Sequence, residues 1–165
     1  MKKELTNQFQ ERKDRLIHEH VHDPYRTKPK TPAVCPICFA VFRDGRWQWA
    51  ASWSINAHHQ ICPACHRTRD NYPAGTVTVR GEFAARHRSE ILGLIRHLEQ
   101  REKFLHPLHR IIRIEEKADS IVILTTDIHL PREIGEGLRR AYQGDLEIIY
   151  PEESYSVRVN WTRQS

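Results

Sequence analysis

The chain is 165 residues long, 39% apolar and 28% charged, with a formal net charge of +5. That length carries one domain plus a small module, and the low apolar share suits two small units rather than one large core. No apolar run is long enough for a membrane helix, and the positive balance leans toward an anionic partner.

The charge is uneven along the chain. Residues 1–110 hold 19 Lys and Arg against 11 Asp and Glu, whereas residues 111–165 hold 7 against 10. Met1-Lys2-Lys3-Glu4 leads into polar residues without the apolar stretch of a secretory signal, so a cytoplasmic protein with reduced thiols is expected. Residues 1–30 read as a basic arm and linker, ordered on a partner. Leu5, Phe9 and Leu16 make too thin a stripe for a stable helix. His18, His20 and His22 alternate, which suits a solvated tract or metal ligation. Arg26, Lys28 and Lys30 follow as candidate phosphate contacts.

Residues 31–75 hold all four cysteines, as Cys35-Pro36-Ile37-Cys38 and Cys62-Pro63-Ala64-Cys65. Two thiolates spaced this way on a tight turn can aim at one ion, and two such pairs joined by a hairpin make a closed tetrahedral site, a zinc ribbon. Disulfides would need an oxidising compartment. Iron also suits four thiolates, but no redox motif accompanies them, so Zn²⁺ is the expected cofactor. A closed site stabilises a fold and leaves no position for chemistry. Between the pairs, Asp44-Gly45 joins two apolar-rich arms and predicts a type I′ hairpin. A strand from Arg46 would put Trp47 and Trp49 on one face, either as a miniature core over the metal or as a base-stacking surface. Arg43, Arg46, Arg67 and Arg69 are the candidate phosphate ligands of this module.

Residues 76–165 predict an α+β domain. A strand at 76–80 precedes an amphipathic helix over 83–105, ended by Pro107. Two β-branched runs, 110–116 and 120–126, make a hairpin. A helix over about 129–143 follows, with Asp127 as its N-cap and Gly144 as its stop. Gly135 and Gly137 inside it mark close packing or simple tolerance. Strands at 146–150 and 157–161 close the chain. The order β-α-β-β-α-β is the ferredoxin-like split βαβ layout, here with an extra C-terminal strand. The strand at 120–125 lacks the aromatic pattern with which the best-known RNA-binding variant stacks bases.

No phosphate-binding glycine loop, dinucleotide fingerprint or nucleophile elbow is present. The carboxylates form no recognisable acid/base pair; His58 and His59, beside the second cysteine pair, suit either a general acid or base or, more simply, solvated residues beside the metal site. The expectation is a protein that is not an enzyme and takes no small-molecule substrate.

Several stretches carry a resemblance. They are His22-Asp23-Pro24-Tyr25-Arg26, the first cysteine pair running into Ala40-Val41-Phe42 and Gly45-Arg46-Trp47-Gln48-Trp49, and Cys62 through Arg67. Pro73-Ala74-Gly75, His106-Pro107-Leu108 and Thr125 through Leu130 complete the set. In these the chain resembles a family of small bacterial zinc-ribbon proteins. More distantly it is similar to the archaeal and eukaryotic adaptor that accompanies the large ribosomal subunit during export. That adaptor has more cysteines and domains, and Phe39 and His66 stand here where glycine is common. The resemblance implies a ribosome or rRNA partner. The expected function is thus a zinc-binding RNA-binding protein associated with the ribosome; the alternative is an adaptor that grips a protein through its tryptophan-rich ribbon.

Overall fold

The structure, a computed structural model, describes residues 22–165. His18 and His20 of the histidine tract lie outside them, and His22 is exposed. Among the described residues no helix is long and apolar enough to cross a membrane.

The cysteine-bearing module has four short strands: β1 (Ala33–Val34), β2 (Val41–Arg43), β3 (Arg46–Gln48) and β4 (His58–His59). They lie in the order β3-β2-β1-β4, with β4 parallel to β1. The hairpin between β2 and β3 turns at Asp44 (φ 55°) and Gly45 (φ 79°), as the type I′ signal requires. A helix, α1 (Pro63–Asp70), follows β4. The two-turn ribbon expected from the sequence has no such helix. It forms because Cys62 takes the N-cap position with extended backbone, Pro63 occupies the first turn, and Asn71 closes the end in the left-handed region.

The second unit runs β5 (Gly75–Arg80), α2 (Glu82–Arg86), α3 (Arg88–Leu105), β6 (Ile111–Glu116), β7 (Ser120–Thr125), α4 (Leu130–Tyr142), β8 (Asp145–Ile149) and β9 (Val157–Thr162). The expected first helix is thus broken in two, at His87 (φ −114°, ψ 30°). The split βαβ plan holds, and the sheet order is β6-β7-β5-β9-β8. The extra strand, β9, is therefore interior: it pairs parallel with β5 on one side and antiparallel with β8 on the other.

Strand alternation sorts the residues. Val77, Val79, Ile121, Ile123, Val157, Val159 and Trp161 are buried beneath Ile91 and Ile95 of α3 and Ile134 and Leu138 of α4. Thr76, Thr78, Arg158 and Asn160 alternate with them and are less buried. Gly135 and Gly137 serve close packing: a Cβ at Gly135 would meet Val159 Cγ1 at 2.6 Å, and one at Gly137 would meet Leu98 Cδ1 at 2.7 Å.

The arm is not wholly a linker. Asp23 accepts from Arg67 at 2.7 Å, and the Tyr25 hydroxyl donates to Asp70 at 3.0 Å, so residues 22–25 fold back onto α1. The sheet begins before residue 76, since Ala74 already hydrogen-bonds to Thr125 and Val157.

Candidate metal centre and adjoining groove

The first cysteine pair sits on the turn between β1 and β2. Cys35 N donates to Ala40 O and Phe39 N to Cys35 O, both at 2.9 Å. This closure turns both sulfurs inward and puts Phe39 at φ 65°, where glycine is the easier residue. The second pair sits at the start of α1, where Cys62 Sγ accepts from Cys65 N at 3.4 Å. The positive end of the helix therefore points at the thiolates. Cys62 N in turn donates to Cys35 Sγ at 3.4 Å, which ties the two halves together.

All four cysteines are free, and their sulfurs lie 3.6–3.9 Å apart. A tetrahedron of thiolates around an ion at about 2.3 Å has edges of about 3.8 Å, so the cluster has the dimensions of a metal site. Cys35 and Cys62 are fully buried, and Ala33, Ala40, Phe42, Ala64 and Trp47 pack around the group. Hydrogen bonds from Cys38, Cys62 and Cys65 hold the Cys35 thiol far below its ordinary value, while the same crowding drives Cys62 up. Four thiolates at this spacing repel one another without a central cation. The group can hold a metal ion.

A residue that the sequence did not mark completes this site. Arg110, just ahead of β6, reaches across from the second unit. Its Nη1 donates to Cys65 Sγ at 3.2 Å and its Nη2 to Cys38 Sγ at 3.1 Å. Burial opposes the Arg110 charge, but the bond to Cys38 and the charges of Cys38, Cys62 and Cys65 outweigh it and keep the guanidinium firmly protonated. Four thiolates around a divalent ion leave two negative charges, and Arg110 offsets one. Its Nε donates to Pro107 O at 2.6 Å, and its backbone N to Thr126 Oγ1 at 3.1 Å, so the metal site is braced on the α+β sheet.

Beside the metal site runs a groove of about 760 Å³. Its walls include Arg26, Lys28, Arg46, Trp47 and Trp49, together with Phe104, His106 and His109. Five of the nine residues picked as nucleic-acid contacts thus share one groove. Arg43 is exposed and pairs across the hairpin with Arg46. Lys30 is exposed, as is Arg69, which lies 3.5 Å from Asp70.

Arg67 does not fit the expectation of a phosphate contact. It is 1% exposed, its guanidinium is bonded to Asp23 and to Tyr72 O at 3.0 Å, and it lies 4.4 Å from the Tyr25 ring centroid. It fixes the arm to α1. The tryptophans also divide. Trp47 is buried edge-on to Phe42, with ring centroids 5.5 Å apart. Trp49 stays 37% exposed, its Nε1 bonded to Lys103 O at 2.7 Å and its ring 5.6 Å from the Arg110 guanidinium. Trp53 is exposed and stacks on Phe39 at 5.5 Å. Comparison with family models, curated proteins and solved structures returns no match for this chain.

His58 and His59 are exposed on β4, away from any carboxylate bonded to them among the described residues. Polar chemistry concentrates instead where α3 ends. His109 Nδ1 lies 3.1 Å from Glu102 Oε2, and its Nε2 lies 3.5 Å from Asp127 Oδ2. The His106 and His129 rings flank it at 4.6 and 5.3 Å. Burial, then the neighbouring His129, His106 and Arg26 charges, push the His109 pKa down to about 3. Asp127 is 4% exposed, and burial pushes it up to about 7 against two backbone N–H bonds from Leu130 and His129. The sequence signal was present as Glu-x3-His-x2-His across a helix end.

Proposed function

We propose that this is a cytoplasmic, zinc-binding RNA-binding protein without enzymatic activity, with the ribosome or rRNA as its partner. The observation that carries the reading is the groove, because it gathers cations from the arm (Arg26, Lys28) and the hairpin (Arg46) around Trp49. Such a surface tracks a phosphate backbone with its cations and stacks a base on its exposed ring. Zinc suits the four-thiolate cage, which is closed, buried and without a redox partner motif. The test is co-sedimentation of the full chain with ribosomes and with structured RNA over a salt series. Binding should fall steeply with salt, and Arg26→Ala, Lys28→Ala and Arg46→Ala should each lower the slope by about one. A protein that runs free of both at low salt would sink the reading. A second reading, the protein adaptor, draws on a different surface. Phe39 and Trp53, stacked on each other, and Ile37 are exposed at the first cysteine turn. Phe39→Ser with Trp53→Ser would abolish a protein interface there and leave RNA binding intact.

A further inference from the structure

We propose a second metal site, formed by Glu102, His106 and His109, that takes one divalent transition-metal ion and leaves positions open toward the groove. One ligand atom from each of the three residues lies within 4.8 Å of the others. Glu102 lies in the last turn of α3, His106 is the helix C-cap and His109 follows Pro107, so the spacing brings all three to one corner. The Glu102 Oε2 to His109 Nδ1 separation is 3.1 Å. Neighbouring ligands at about 2.1 Å from an ion at right angles stand about 3.0 Å apart, so the pair already has the bite of a metal edge.

The second observation is Asp127. A neutral imidazole has one N–H, yet His109 faces a carboxylate oxygen at each nitrogen, Glu102 at 3.1 Å and Asp127 at 3.5 Å. One N–H serves only one of them, and the other contact needs a second proton or a cation. With an ion between Glu102 and Nδ1, the conflict goes: Nδ1 gives its lone pair to the metal and Nε2–H donates to Asp127. That is the usual support of a metal-ligating histidine, whose far nitrogen donates to a buried carboxylate. Asp127 is built for the part. It is 4% exposed, its Oδ2 is fixed by His129 N at 2.8 Å and Leu130 N at 3.0 Å, and its Oδ1 has no partner among the described residues.

Two histidines and one carboxylate are a borderline set that suits Zn²⁺, Mn²⁺, Fe²⁺ or Co²⁺ over Ca²⁺. Three protein ligands leave the ion coordinatively unsaturated, in contrast to the closed thiolate cage. His106 and His109 both line the groove, so its open positions are reachable from there. The inference stands independently of what the groove binds.

The experiment is calorimetric titration of the purified full chain, its thiolate site already loaded, with Co²⁺, Mn²⁺ and Zn²⁺, combined with metal analysis after dialysis. The expected result is one further equivalent, with a Co²⁺ spectrum free of thiolate charge transfer. His106→Ala, an exposed position that leaves the fold intact, abolishes it. Asp127→Asn leaves every ligand in place and weakens binding by about 10–100-fold. His18→Ala with His20→Ala and His22→Ala leaves it unchanged. Uptake confined to the thiolate site would overturn the proposal, and so would uptake that survives His106→Ala or disappears with the triple histidine variant.

Discussion

Arg67 and Arg110 are both arginines in a basic chain, and nothing local separates them from the exposed ones. Their partners do. Arg67 is buried against Asp23 and the Tyr25 ring. Removing one member of such a pair strands the other, so Arg67→Ala should destabilise the protein by about 3–5 kcal/mol in denaturant melts. Arg67→Lys should recover only part of this, since an ammonium cannot bond Asp23 and Tyr72 O in the same fork. Arg110 acts on the cysteine cluster. Arg110→Gln removes the charge opposing the thiolates and should lower affinity at the cysteine site by about 10–100-fold in chelator competition. An unchanged affinity would mean that the helix dipole and backbone donors suffice.

Among the elements, α4 is the most informative. Replacing Gly135 by Ala gains about 1 kcal/mol of helix propensity, but the new Cβ meets Val159 Cγ1 at 2.6 Å and Leu146 Cδ1 at 2.7 Å. Overpacking of this kind costs about 1–3 kcal/mol, so Gly135→Ala should lower the melting temperature. Gly93 of α3, with nothing near its missing Cβ, should instead gain from the same change. Sequence patterns located nearly every strand and helix of the α+β unit, because alternation and amphipathic spacing are local. They missed α1 because its eight residues are mostly polar and its start is a cysteine acting as N-cap. The cysteine ligands were legible from spacing alone. Arg110 was not, since it meets Cys38 only across 72 positions of chain. Nor was the burial of Arg67, which depends on an arm that reads as linker.

For the molecule as a whole, the metal site is a joint between its two units. Leu108 packs on the cysteine cluster, Arg110 bonds its sulfurs, and Thr126 Oγ1 donates to Leu108 O at 2.7 Å. Chelation should therefore unfold the cysteine module and also loosen residues 106–110. Hydrogen exchange would show this as faster exchange at Arg110 N, with Val77 and Val159 in the sheet unaffected. The fluorescence change should come mainly from Trp47, because Trp49 and Trp53 are already exposed and Trp161 belongs to the other core. A red shift that survives Trp47→Phe would contradict this assignment.

The interior position of β9 has a consequence for how the chain reaches its fold. As each segment is synthesised, β8 is complete before its native neighbour exists. At that moment β5 presents an open edge, and β8 would run antiparallel to it, as the fourth strand of a plain split βαβ sheet does. The finished protein must instead admit β9 between them, with six-residue parallel pairing from Gly75 to Arg80. Closing the sheet thus waits on the last strand and on contacts some eighty residues apart in sequence, a topology that folds slowly. Without Val157, Val159 and Trp161, the helices lose the middle of the surface they cover. A chain cut before Val157 should therefore be soluble only with its β5 edge capped by β8, a shorter four-stranded sheet that exchanges its amides far faster than the intact protein.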